Sequence, residues 1–130
     1  MKKYLILAVL AISTIAGTAQ TKTWTNDPAH SRLGFVVKHL TVSEIDGRFA
    51  DFSVKVTTSK ADYSDAQIDL TAKVASINTD VEARDTHLKS ADFFDAEKFP
   101  TLTFKSTSLK KVSKTKGKLY GNLTFHGITK

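Results

Sequence analysis

Between Ala66 and Val74 the chain alternates without a break, with Ala66, Ile68, Leu70, Ala72 and Val74 on one side and Gln67, Asp69, Thr71 and Lys73 on the other. Successive side chains of an extended backbone point to opposite faces, so a period of two marks a strand with one face buried and one in water. The same rhythm governs most of the chain. Leu33, Phe35, Val37 and His39 share a face against Arg32, Val36 and Lys38, and Phe52, Val54 and Val56 alternate with Ser53, Lys55 and Thr57. Leu102, Phe104 and Ser106 form another set, and Leu119, Gly121, Leu123, Phe125 and Gly127 alternate with Tyr120, Asn122, Thr124 and His126. Turn signals separate the runs at Asn26-Asp27-Pro28, Asp46-Gly47, Tyr63-Ser64-Asp65 and Lys116-Gly117. Trp24 lies in a short polar segment ahead of the first run. Phe49 is out of phase with Phe52, and a bulge around Ala50 and Asp51 would restore the register and bend the strand.

Half-apolar antiparallel strands with short turns suit a sandwich or an up-and-down barrel, and the phenylalanine-rich inner faces favour the barrel. The expected fold is therefore all-β, an antiparallel barrel. Five runs make convincing strands, whereas a barrel that holds one slender ligand takes about eight. The last run ends at Lys130 with no turn or closing strand after it, so the barrel is expected to be incomplete at its C-terminus. Gly121 and Gly127 are expected bend points.

One stretch, from Ser76 to Pro100, breaks the rhythm. Thr79 followed by Glu82 reads as a capping box, and Val81 and Leu88 fall on one face of a short helix. Phe93, Phe94 and Phe99 then crowd into a turn closed by Pro100, which cannot continue a helix. The expectation is a single helical insertion between Asn78 and Phe99 that packs across the end of a curved sheet. Arg84 is expected to form a partly buried ion pair with one or more of Asp80, Asp85, Asp92 and Asp95 beneath the phenylalanines.

Met1 to Ala19 has a charged start, an apolar run from Leu5 to Ile12 and small residues at its end, the pattern of a secretory signal peptide. The run is too short for a span of about 30 Å. Residues 1–19 are thus expected to be a cleaved leader and 20–130 a single exported domain. Without Lys2 and Lys3 the chain has 17 basic and 13 acidic residues, a mild excess that gives no reason to expect nucleic acid as a partner. Lys105, Lys110, Lys111, Lys114, Lys116 and Lys118 read as a solvated edge of a hairpin that discourages aggregation. There is no cysteine, so no disulfide and no lipid-attachment thiol.

An ordered set of short motifs carries a resemblance: Asp27-Pro28-Ala29-His30-Ser31 with Phe35 and His39, Asp46-Gly47-Arg48-Phe49, Arg84-Asp85 with His87-Leu88-Lys89-Ser90, Asp92-Phe93-Phe94-Asp95, Phe99-Pro100, and Gly121-Asn122-Leu123-Thr124 with His126-Gly127. Together they resemble the YceI-like polyisoprenoid-binding family across nearly all of the segment after the leader. The resemblance implies a lipocalin-like barrel, exported to the periplasm, that encloses a polyisoprenoid or isoprenoid-quinone chain as a carrier, store or transporter. It implies no enzyme activity, cofactor or metal, a monomer or homodimer, and at most transient membrane contact. The expected tunnel residues are Phe35, Val37, His39, Phe52, Val54, Ile68, Leu70, Phe104, Leu123 and Phe125.

Read without the resemblance, those phenylalanines equally fill a core. His30, His39, His87 and His126 are scattered, with no spacing that marks a metal site. His39 shares a face with Phe35 and is either a structural histidine or a donor to a ligand's head; His87 beside Asp85 is a helix-end hydrogen-bonding group or a base. Two other classes remain open: an exported enzyme or metal-binding protein using His39, His87 and His126, and a ligand-free stress-response protein.

Overall fold

The computed structural model of the protein describes residues 20–130; the leader expected over Met1–Ala19 lies outside the described residues. In chain order come β1 (Lys22–Thr25), β2 (Leu33–His39), β3 (Ser43–Phe49), β4 (Phe52–Thr58), β5 (Gln67–Lys73), a 3-10 turn (Val74–Ser76) and β6 (Ile77–Asn78). The helix α1 (Glu82–Lys89) follows, then β7 (Thr101–Lys111), β8 (Gly117–Phe125) and β9 (Ile128–Thr129). The fold is all-β and antiparallel with one short α-helix, as expected. The strands form a six-stranded sheet in the order β1-β4-β5-β7-β8-β9 and a three-stranded sheet in the order β2-β3-β6. Among the described residues no ladder joins the two sheets, so the arrangement is open.

The five runs read from the alternation become β2, β4, β5, β7 and β8. Their registers stack the apolar positions in rows, because directly paired residues of an antiparallel ladder share a face. Val54, Leu70, Phe104 and Leu123 form one row across four strands. Phe52, Ala72 and Leu102 form the next. Trp24, Val56 and Ile68 form a third.

Three expectations about the connections are corrected. Asp46-Gly47 is not a turn: both residues lie inside β3, and the chain reverses instead at Leu40 and Thr41, whose φ angles are 52° and 61°. The N–H of Val42 donates to the carbonyl of His39 across that reversal at 3.2 Å. Gly47 is in the strand because Phe35, its cross-strand partner, lies over it; a Cβ on Gly47 would stand 2.2 Å from Cζ of Phe35. Ala50 and Asp51, where a bulge was expected, form a corner at which the chain leaves the small sheet for the large one. There the N–H of Ala50 donates to the carbonyl of Ser76 and that of Asp51 to Ser76 Oγ, both at 3.0 Å. Since Ser76 ends the 3-10 turn between β5 and β6, both crossings between the sheets are tied together at this corner. The third correction is at the end of the chain, where His126 (φ 51°) and Gly127 (φ 72°) make a two-residue turn into β9, which pairs with β8.

The buried core sits at the same corner. Phe49, Ala72 and Ile77 are its centre, with Leu33, Phe35, Phe52, Leu88, Phe94 and Leu102 packed around them. Away from it the inner face of the large sheet opens: Leu123 is 42% exposed and Trp24 40%. Gly121 lies opposite Ser106, where β7 shifts register against β8, so a bend does occur beside it.

Candidate functional site

A cavity of about 730 Å³ lies between the β2–β3 hairpin and α1 with its phenylalanine turn. The hairpin supplies one wall through the pairs Val37–Ile45 and His39–Ser43, and Phe35 continues that face toward the core. Period two puts these side chains on one side, and the early reversal at Leu40 aligns Ser43 and Ile45 with their partners. The opposite wall is α1, where Arg84, His87 and Leu88 stand three and four residues apart and so share a helix face. Phe93 and Phe94 close the end. They are fixed by the turn after the helix, in which the N–H of Phe94 donates to the Leu88 carbonyl at 3.0 Å and that of Asp95 to the Ser90 carbonyl at 2.9 Å. The Phe93 ring meets His87 edge-on at 4.8 Å, and Phe94 lies 4.9 Å from Phe125, linking the cavity to the inner face of the large sheet.

Arg84 does not form the ion pair expected of it. Its Nε donates to Oγ1 of Thr79 at 2.7 Å and its Nη2 to the Thr79 carbonyl at 2.8 Å. The carboxylates proposed for it are otherwise placed. Asp80 pairs with Arg48 at 3.1 Å, and Asp92 lies 3.5 Å from His87. Asp85 accepts from the hydroxyl and the N–H of Thr79 at 2.6 and 2.8 Å, and Asp95 contributes a backbone contact instead, its main-chain carbonyl accepting from the N–H of Phe99. The buried Thr79 hydroxyl thus stands between Arg84 and Asp85, accepting from one and donating to the other. For the same reason the capping box does not form: Val81 is the N-cap and no side chain caps it.

The expected tunnel residues divide. Phe35, Val37 and His39 line the cavity. Phe52 and Val54 face a smaller groove of about 320 Å³ beside Trp24 and Arg32. Ile68, Leu70, Phe104 and Leu123 belong to the rows on the large sheet rather than to the cavity wall, and Phe125 reaches it only through Phe94. Ser43, Ile45, Thr79, Arg84, His87, Leu88, Phe93 and Phe94 complete the lining. Ile45 was hidden by the misplaced turn; with the reversal at Leu40, the alternation Ser43, Ile45, Gly47, Phe49 is plain in the sequence. Among the described residues no three His, Asp or Glu side chains come together to hold a metal ion.

The profile of the YceI-like domain matches residues 24–130. The chain belongs to the YceI-like family. A UPF0312 protein of Staphylococcus aureus (strain N315) is 44% identical over 106 residues, which cover 82% of this chain and 59% of that one. The chain therefore spans about three fifths of the length of the curated relatives it matches. Among solved YceI-like structures, the Campylobacter jejuni YceI protein is 39% identical with a TM-score of 0.64, covering 82% of this chain and 63% of its own. Burkholderia cenocepacia BcnA is 26% identical with a TM-score of 0.74, covering 80% and 65%. A domain from Saccharophagus degradans, described as polyisoprenoid binding and implicated in plant cell wall breakdown, has a TM-score of 0.62 at 18% identity, covering 85% and 63%, and speaks for the fold alone.

Proposed function

We propose that the protein is an exported lipid-binding member of its family that takes a polyisoprenoid or isoprenoid-quinone chain into the space between β2–β3 and α1. In this reading it acts in the periplasm as a carrier or store, binding its ligand without transforming it. The observation that carries the reading is the cavity of about 730 Å³ walled by Phe35, Val37, Ile45, Leu88, Phe93 and Phe94, a size in the range of small-molecule sites of roughly 300–1,000 Å³. Each buried methylene-sized unit contributes about 0.8 kcal/mol, so one slender lipid binds tightly through its tail alone. The contact of Phe94 with Phe125 extends the apolar lining toward Leu123, Phe104 and Leu70, which gives a long tail somewhere to lie. Family membership supports the same reading.

The test fills the cavity. Ile45→Trp and Val37→Trp place a large ring in it, and Ile68→Trp places the same ring on the large sheet. Lipid extracted per protein, weighed by mass spectrometry, is expected to fall most in the first two variants while circular dichroism shows the parent fold. Equal lipid in Ile45→Trp, Val37→Trp and the parent would put the tail elsewhere.

A further inference from the structure

We propose that the cavity selects an amphiphile with an oxyanion head, a phosphate or a carboxylate, and that Arg84 is the residue that reads it. This rests on the lipid-binding reading above and adds the charge of the head to it. The lining is rich in donors: the Arg84 guanidinium, the His39 and His87 imidazoles and the Ser43 hydroxyl, while the Thr79 hydroxyl gives its hydrogen to Asp85. Among the described residues no carboxylate lines the cavity. A neutral quinone head would leave a guanidinium in an apolar pocket without an anion, whereas an oxyanion matches it in charge and in geometry.

The orientation of Arg84 makes the case specific. An arginine without fixed partners swings into water; this one is held by Nε and by one proton of Nη2, both on Thr79. Thr79 is 5% exposed and is itself held by Asp85 through its hydroxyl and its N–H. Those two bonds leave the Nη1 edge of the planar fork for a second partner, and the side chain lines the cavity. A planar fork anchored along one edge and unengaged along the other is preorganised to bind phosphate or carboxylate through two parallel bonds. Asp85 sits one hydroxyl away, so it fixes the guanidinium without occupying its free edge. His87 stands one helical turn along the same face, and His39 stands on the opposite wall, so donors flank the head from both sides.

Three probes of one tail length separate the possibilities in calorimetric titrations of delipidated native protein: farnesol, farnesyl phosphate and farnesoic acid. The phosphate is expected to bind about tenfold or more tightly than the alcohol, which corresponds to about 1.4 kcal/mol, and the acid arm shows which oxyanion is preferred. Arg84→Gln is expected to erase the preference, so that farnesyl phosphate and farnesol bind alike, and Arg84→Lys to keep part of it. Equal binding of the three probes by the parent overturns the head assignment and leaves the lipid reading standing; binding of none overturns the lipid reading itself. A preference that survives in Arg84→Gln assigns the head to other residues and overturns the role of Arg84. Inorganic phosphate is expected to give no heat where farnesyl phosphate saturates; equal binding would make this a free-anion site and overturn the assignment. Because the parent decides between head and tail alone, the inference stays testable even if Arg84→Gln fails to fold.

Discussion

Arg84 and Thr79 meet twice, the guanidinium donating to both the hydroxyl and the carbonyl of the same buried threonine. This double contact joins the start of α1 to the end of β6 and sets the polar end of the cavity. Thr79→Val keeps the shape and removes the hydroxyl, leaving Asp85 with only one of its two donors, the backbone N–H, and Arg84 Nε without its acceptor. A buried group stranded in this way costs about 1–3 kcal/mol. Urea unfolding of Thr79→Val is expected to show a loss in that range, with Thr79→Ser close to the parent. A Thr79→Val protein as stable as the parent would count against the relay.

Gly47 and Phe35 give a steric prediction. A methyl on Gly47 stands 2.2 Å from the Phe35 ring and must displace it, and overpacking of that kind costs roughly 1–3 kcal/mol. Gly47→Ala is expected to unfold at lower urea, and Phe35→Leu is expected to recover part of the loss in the double variant. Additive effects of the two changes would mean that the ring does not lie over Gly47.

The reversal between β2 and β3 carries Leu40 and Thr41 in the left-handed region, where a residue with a Cβ is strained by about 1–2 kcal/mol and where Asn-Gly is favoured. Leu40→Asn with Thr41→Gly is expected to raise the urea midpoint. A lower midpoint would place the reversal at other residues.

Much of this architecture is legible in the sequence, and the failures have physical causes. The alternation from Gln67 to Lys73 defines β5 because its face is set by period alone, and the break from Ser76 to Pro100 reveals α1 because phenylalanine crowding and proline admit little else. The β2–β3 turn was missed because Leu40 and Thr41 carry no turn chemistry, while Asp46-Gly47 carries it but serves packing instead. The capping role of Thr79 and the ion pair of Arg84 failed together. Local spacing suggested both, and a tertiary arrangement, Thr79 buried between Arg84 and Asp85, took precedence over each. The division of the tunnel residues between cavity and sheet depends on how the corner at Ala50 and Asp51 turns, which no local pattern encodes.

Acid titration tests the loop between β4 and β5. Asp62 accepts from the N–H of Ser64 at 3.1 Å and from Lys111 Nζ at 3.1 Å. These contacts, the Ser64 N–H first, then its hydroxyl and Lys111, lower its pKa from 3.8 to about 2. A carboxylate held below its unfolded value adds stability that is present above about pH 4 and is lost as pH falls through about 2. The Asp62 carboxyl carbon is expected to titrate near 2 by NMR. In Lys111→Met it should rise while staying below its ordinary value, since Ser64 still donates; an ordinary value in the parent would contradict the loop geometry.

The proposed occupant of the cavity beside Ile45 and Leu88 is an isoprenoid chain. Mass spectrometry of the protein purified from its own host, first under native and then under denaturing conditions, tests it most directly. The expected native mass exceeds the polypeptide by one isoprenoid lipid, an excess that disappears on denaturation and shrinks in the population of Ile45→Trp molecules. A native mass equal to that of the bare polypeptide would contradict it.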